Sequence, residues 1–268
     1  MAGNDKFALT DVLDVTVYEK NSNKPVLYLD TLQKVTLETS AEKAEIKGGA
    51  GNGVLYSYDF GKTCKATIDN ALLSPKSFQL ISNNDVTTSV TKIDMRQDTV
   101  WESKDGYMED KGELFPLTAS ASGAIELAFT PNEVASNILV YEADNEGGTP
   151  LPAGTLTGKT LTNASWANKK VVVYYTFNTN DETETYTIST DKFPDVYRLV
   201  GTTVIPNVKT GKKERLQVEI PSFKFDADMN LNFQSGDPQP FSMGGQVLKA
   251  DNSNNMIVMK KWNTKIKA

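Results

Sequence analysis

Histidine is absent from the 268-residue chain, and cysteine occurs once. Histidine is the commonest general base and metal ligand near neutral pH. Without it, Ser-His-Asp and Cys-His nucleophile systems and the usual zinc sites are excluded. The lone Cys64 rules out an intramolecular disulfide. No stretch approaches the roughly 18 consecutive apolar residues of a membrane helix. The opening Met-Ala-Gly-Asn-Asp-Lys has no apolar run of the kind a secretion signal needs. The expectation is a protein made in a cytoplasm, retained there or in something assembled there, with no membrane partner. A basic surplus is also missing: the net charge is −6. Nonspecific nucleic-acid binding needs a basic patch, so this balance argues against it.

What is present is ordinary globular material, 39% hydrophobic and 23% charged. A chain of this length holds one large domain or two small ones and buries a core without metals. The dominant pattern is period-2 alternation in β-branched and aromatic residues, which predicts strands. Leu13, Val15 and Val17 alternate with polar neighbours. A turn at 21–25 leads back into Val26 to Leu29, a hairpin. Strands follow at Leu32 to Thr39 and Ala44 to Lys47. Gly48 to Gly53 then holds four glycines in six residues, a flexible loop or a close backbone approach. Val54 to Phe60 and Thr63 to Asp69 read as another hairpin-like pair around Gly61. Cys64, Ala66 and Ile68 share one parity, so the cysteine belongs on the inner face of a strand. One helix is expected within Ala71 to Ile81, with Ser74 as N-cap, Pro75 as first helical residue, and Phe78 and Ile81 facing the sheet.

After a weaker stretch at 84–122, with Val86 to Trp101 read as one or two strands, the alternation sharpens. Ala124 to Phe129, Ile138 to Tyr141 and Lys170 to Phe177 read as strands, with Thr183 to Ser189 expected to pair with the last. Short strands at roughly ten-residue spacing indicate a small sandwich. Further on, Leu216, Val218 and Ile220 point one way. Phe223 and Phe225 take the opposite parity after Pro221, which predicts a bulge. Met229, Leu231 and Phe233 read as one more strand, followed by Phe241 to Leu248 and Met256 to Trp262, and then a polar, loose tail. The fold class is therefore all-β in the main, with one short helix. Two modules are expected: a discontinuous one over 1–120 and 190–268, and an inserted β-sandwich over 121–190.

Chemical motifs fail on spacing. Gly61-Lys-Thr63 ends like a phosphate-binding loop, but its earlier glycine falls on Tyr56; Gly158-Lys-Thr160 puts Ala153 there. Gly49-Ala-Gly51 puts Val54 where a dinucleotide fingerprint needs glycine. Asp226-Ala-Asp228-Met-Asn230 begins like a calcium loop, yet Leu231 and Asp237 stand where glycine and glutamate belong. Glu142, Asp144 and Glu146 read as a solvated acidic loop. No catalytic residue, metal site or cofactor is expected.

With these residues in place, Val35 to Phe60 resembles the N-terminal half of tail-tube and related major structural proteins of tailed phages. There, strands flank a glycine-rich loop, and an alternating strand and short helix follow, as in Thr63 to Leu80. Val200 to Glu214, Leu216 to Phe225 and Gly236-Asp-Pro238 are similar to the C-terminal part of such proteins. The resemblance implies two packed antiparallel sheets with a flanking helix, and hexameric rings whose sheets join into a barrel around a lumen. It also implies stacking of the rings into a tube, with DNA only in transit, and an immunoglobulin-like module at 121–190 outside. Partners would be further copies of the chain and other tail proteins, such as the tape measure and the tail terminator. The localisation would be the virion tail, with assembly in the host cytoplasm. Candidate inter-subunit residues are the loop residues Gly48, Gly49, Gly51, Asn52 and Gly53. The doubly apolar strand Met256, Ile257, Val258 and Met259 is a second candidate. The alternative is a virion decoration or carbohydrate-binding sandwich, with Trp101, Tyr107, Tyr141 and Trp166 as stacking surfaces. A carboxylate-based hydrolase is a third option.

Overall fold

The structure is a computed structural model in which residues 6–236 and 240–263 are described. Asp237 and Pro238, the ends of the chain at 1–5 and the tail at 264–268 lie outside the described residues. In chain order the strands begin with β1 (Asp14–Glu19), β2 (Pro25–Leu29), β3 (Leu32–Gly48) and β4 (Gly53–Asn70), and helix α1 (Pro75–Ser82) follows. Short strands come next: β5 (Thr87–Thr88), β6 (Lys92–Gln97), β7 (Trp101–Lys104), β8 (Tyr107–Asp110), β9 (Ala124–Glu126) and β10 (Leu139–Glu142). Then come β11 (Thr155–Thr157), β12 (Thr160–Thr162), β13 (Val171–Asn178) and β14 (Glu184–Thr185). The chain closes with β15 (Val196–Pro206), β16 (Lys213–Phe225), β17 (Phe241–Val247) and β18 (Val258–Trp262). The protein is all-β apart from α1 and short 3-10 turns. It divides into two compact units, Met1–Val86 with Tyr186–Ala268, and Thr87–Thr185.

In the first unit the strand order is β2-β1-β15-β16-β17-β4-β3, all antiparallel. Strand β16 forks. Its Arg215–Glu219 portion pairs with β18, while Phe223–Phe225 pairs with β17. The fork separates two leaves, and the core fills the space between them. Val15, Val17, Leu199 and Phe223 come from one leaf, and Cys64, Ala66, Ile68 and Met243 from the other. The Val, Leu, Ile, Phe and Met side chains among them, once buried, each contribute roughly 1.5–3 kcal/mol relative to exposure. Cys64 sits at 1% exposure on the inner parity with Ala66 and Ile68. Burial pushes its thiol pKa up, away from the reactive thiolate.

The fork coincides with a bulge. Tyr197 pairs with Phe223 but Leu199 with Ile220, so Pro221 and Ser222 stand against a single residue. This extra residue flips the parity, and Ile220, Phe223 and Phe225 are all buried. Helix α1 starts where the residues dictate: Ser74 caps it by accepting from the Ser77 N–H at 3.1 Å, and Pro75 occupies its first turn. Leu80 and Ile81 enter the core, whereas Phe78 meets Tyr186 edge-on at 5.2 Å. In this unit, two sequence expectations need correction. Gly61 is not a hairpin turn: β4 runs straight through it as one strand of 18 residues. Between Ser40↔Thr63 and Glu42↔Phe60, Gly61 and Lys62 oppose one residue, with Gly61 at φ +58°, so the glycine serves a bulge. Met229, Leu231 and Phe233 form no strand; the first two pack on the core and Phe233 is 92% exposed.

The second unit is a small sandwich of two three-stranded sheets, β10-β13-β6 and β11-β12-β9, with hairpin β7-β8 and the pair β5-β14. Its core includes Ile125, Leu127, Leu161, Trp166, Val173 and Tyr175. The unit begins at Thr87, earlier than the expected 121, because β6 pairs along β13 from Gln97↔Val173 to Lys92↔Asn178. That same pairing takes the place expected for 183–189, of which Glu184 and Thr185 pair instead with Thr88 and Thr87.

Candidate assembly surfaces

Period-2 patterning makes β3 and β4 long, and their pairing makes them an arm. Strand β17 covers β4 only from Cys64 to Asn70. From Ser40 to Thr63 the two strands pair only with each other. At about 3.3 Å per residue this arm reaches roughly 25–30 Å. Its tip is the predicted glycine loop. Gly48 ends β3, Gly53 begins β4, and Gly49, Gly51 and Asn52 take φ +77°, +86° and +52°. The Asn52 N–H donates to the Gly49 carbonyl at 3.1 Å, closing the turn. A side chain at Gly51 would be strained by its φ, whereas one at Gly53 would point into open space.

One face of the arm is apolar and uncovered. Tyr56, Tyr58 and Phe60 stand at alternate positions of β4 opposite Ile46, Ala44 and Glu42. The three rings step along the strand with centroids 6.3 and 5.8 Å apart. They are 61%, 49% and 45% exposed, and Ile46 and Leu55 are exposed beside them. Exposed aromatic side chains grouped in this way mark an interaction surface more often than isolated ones do. The opposite face is polar, with Lys43 against Asp59 and Glu45 against Ser57. The arm's aromatic stripe was not singled out from the sequence. The alternation of Tyr56, Tyr58 and Phe60 was visible, but nothing local says that no neighbouring strand covers them.

The second predicted segment divides. Met256 and Ile257 precede β18 and pack on the core. Val258 pairs with Glu219 and Met259 with Val218, and Met259 is 60% exposed. Strand β18 is clamped to the body by ion pairs. Glu219 takes Lys260 at 2.8 Å and Arg198 at 3.2 Å, and Glu214 takes Lys261 at 2.9 Å. Lys260 first and Arg198 next hold the Glu219 carboxyl below the usual range; Lys261 does the same for Glu214. Met259 also lines an apolar cavity of about 440 Å³ with Phe7, Leu9, Leu37 and Leu216. Among the described residues, β2, β3 and β18 each pair along one side only. The unpaired flank of β3 carries Lys34, Glu38, Glu42, Lys43 and Lys47 along its strand.

No group of three or more His, Cys, Asp or Glu able to hold a metal occurs among the described residues. Nor is any described helix long and apolar enough to cross a membrane. Of the aromatic surfaces considered, Trp166 is fully buried in the second unit, so it offers no stacking face.

Free sheet edges, an extended hairpin arm and an uncovered aromatic stripe give this all-β protein several surfaces of the kind that pair with neighbours. The family model described as the YomU/Tube protein family matches residues 7–259, both units included. The chain therefore belongs to the YomU/Tube family and is a structural protein of the phage tail tube, a component of the virion tail. A comparison with curated proteins finds no match.

Proposed function

We propose that copies of this chain close head-to-tail into rings, six to a ring, and that the rings stack into a tube through which DNA passes. The observation that carries this reading is the pair of unpaired sheet ends. Strand β2 ends one side of the first unit's strand path and β3 the other. Pairing one end of a subunit with the opposite end of its neighbour is a heterologous contact, and such contacts close into rings when the rotation permits. Closure removes exposed edges that otherwise invite aggregation. The arm then reaches past its own subunit, and its aromatic stripe and glycine tip meet a neighbour or the next ring. Met259 and the free flank of β18 are a further contact surface. A net charge of −6 suits a conduit for DNA, since the chain carries no basic surplus to bind phosphate and release counterions. The tape measure and tail terminator proteins are the expected tail partners, with assembly in the host cytoplasm.

Electron microscopy of the purified chain, alone and with its tail-assembly partners, tests the reading. Rings or tubes are expected. An arm variant with Tyr56, Tyr58 and Phe60 each replaced by serine should stay folded and monomeric; tubes formed at the native rate by that variant would contradict the role given to the arm.

A further inference from the structure

The second unit carries a concavity of about 350 Å³ on the solvent side of its β10-β13-β6 sheet. Strand parity builds it. Val173, Tyr175 and Phe177 of β13 face the core, which turns Tyr174 and Thr176 outward. Gln97 of β6 faces inward, which turns Asp94 and Arg96 outward beside them. The lining combines Asp94, Arg96, Glu133, Asn137, Leu139 and Tyr174.

The site is held in shape. Arg96 binds Glu146 through both Nε, at 2.7 Å, and Nη2, at 2.8 Å, and reaches Asp98 through Nη1 at 2.5 Å. The Tyr174 hydroxyl donates to the same Glu146 carboxylate, and the Tyr141 ring meets Tyr174 edge-on at 5.9 Å. The Tyr174 ring is therefore fixed at its tip and from one side. Glu133 accepts from the Thr176 N–H at 2.7 Å through one oxygen. Among the described residues Asp94 makes no ion pair, and it is exposed, as is Asn137. Arg96 is matched by Glu146 and Asp98, so Asp94 and Glu133 leave the concavity negative.

We propose that this concavity binds a neutral pyranose sugar. An immobilised aromatic ring and the apolar Leu139 side chain offer a surface for the sugar's C–H face. Carboxylate and amide groups around them accept from, and donate to, neighbouring hydroxyls; a carboxylate can take two at once. The volume falls within the lower range of small-molecule pockets. Surplus negative charge disfavours uronic and sialic acids. The site lies wholly within the second unit and does not depend on ring assembly.

Saturation-transfer NMR on the full chain tests this with methyl glycosides of glucose, galactose, mannose and N-acetylglucosamine, and with methyl glucuronide as the anionic probe. At least one neutral glycoside is expected to receive saturation, and the glucuronide none. Tyr174→Ala and Asp94→Ala should each weaken that binding about tenfold, Tyr174→Phe should retain it, and Tyr107→Ala, outside the concavity, should leave it unchanged. Asp94 is exposed, so its variant tests the site even if Tyr174→Ala fails to fold. No transfer to any neutral glycoside, preference for the glucuronide, or binding that survives Asp94→Ala at full strength would overturn the proposal.

Discussion

Phe223 shows how one side chain sets the geometry of the first unit. It is fully buried, it follows the bulge at Pro221 and Ser222, and it packs edge-on against Phe225 at 4.9 Å. Phe223→Ala should cost about 3–5 kcal/mol in chemical denaturation, the range for removing a large aromatic from a packed core. In the second unit Glu146 carries the clearest pH signature. Arg96 first and Tyr174 next lower its pKa from the ordinary 4.5 to about 2. A depressed folded-state value contributes stability above the unfolded pKa, and that contribution fades as pH falls from about 4.5 towards about 2. Acid titration followed by circular dichroism should show this loss, and Glu146→Gln should remove that pH dependence. Residue-level reading of the sequence succeeded where chemistry is local. The parity of Cys64 with Ala66 and Ile68, the Ser74 cap and the proline bulge all follow from neighbouring residues. It placed Glu146 in a solvated acidic loop, where it is indeed exposed, but did not give its partner Arg96, which lies far along the chain.

At the scale of elements, the β3-β4 arm is the unusual feature. A lone two-stranded hairpin is marginal in water. Here its root is held by β17, and its outer half keeps cross-strand contacts between Ile46 and Tyr56 and along the ring stripe. The tip separates assembly from folding. Gly53→Val meets open space and should leave the unfolding free energy of the isolated subunit within about 0.5 kcal/mol of the parent's, measured by chemical denaturation. If the tip contacts a neighbour, the same variant should slow tube formation, measured by light scattering; unchanged kinetics would dissociate the tip from assembly. Gly51→Val is the less clean substitution, because φ +86° strains any side chain there. The elements misread from sequence were misread for separate reasons. Gly61 looked like a turn because a bulge and a turn use the same backbone freedom. Met229 to Phe233 alternated like a strand but found no ladder. Strand β13 and the region of β6 were both legible as strands, but their pairing across the chain was not.

At the scale of the whole molecule, the all-β class and the tail-tube family were legible from alternation and from the strand-and-turn pattern of Val35 to Phe60. The extent of the second unit was less so, since residues 87–120 join it through pairings that only the three-dimensional structure displays. The free outer edges of β2 and β3 in the first unit and its projecting arm are the features that call for neighbours. The ring-forming arrangement meets its most direct test in cryo-electron microscopy of the purified full-length chain at high concentration, with and without tail-assembly partners. Sixfold rings stacking into tubes around an open channel, with β2 of each subunit beside β3 of the next, are the predicted result. A strictly monomeric protein under both conditions would contradict it.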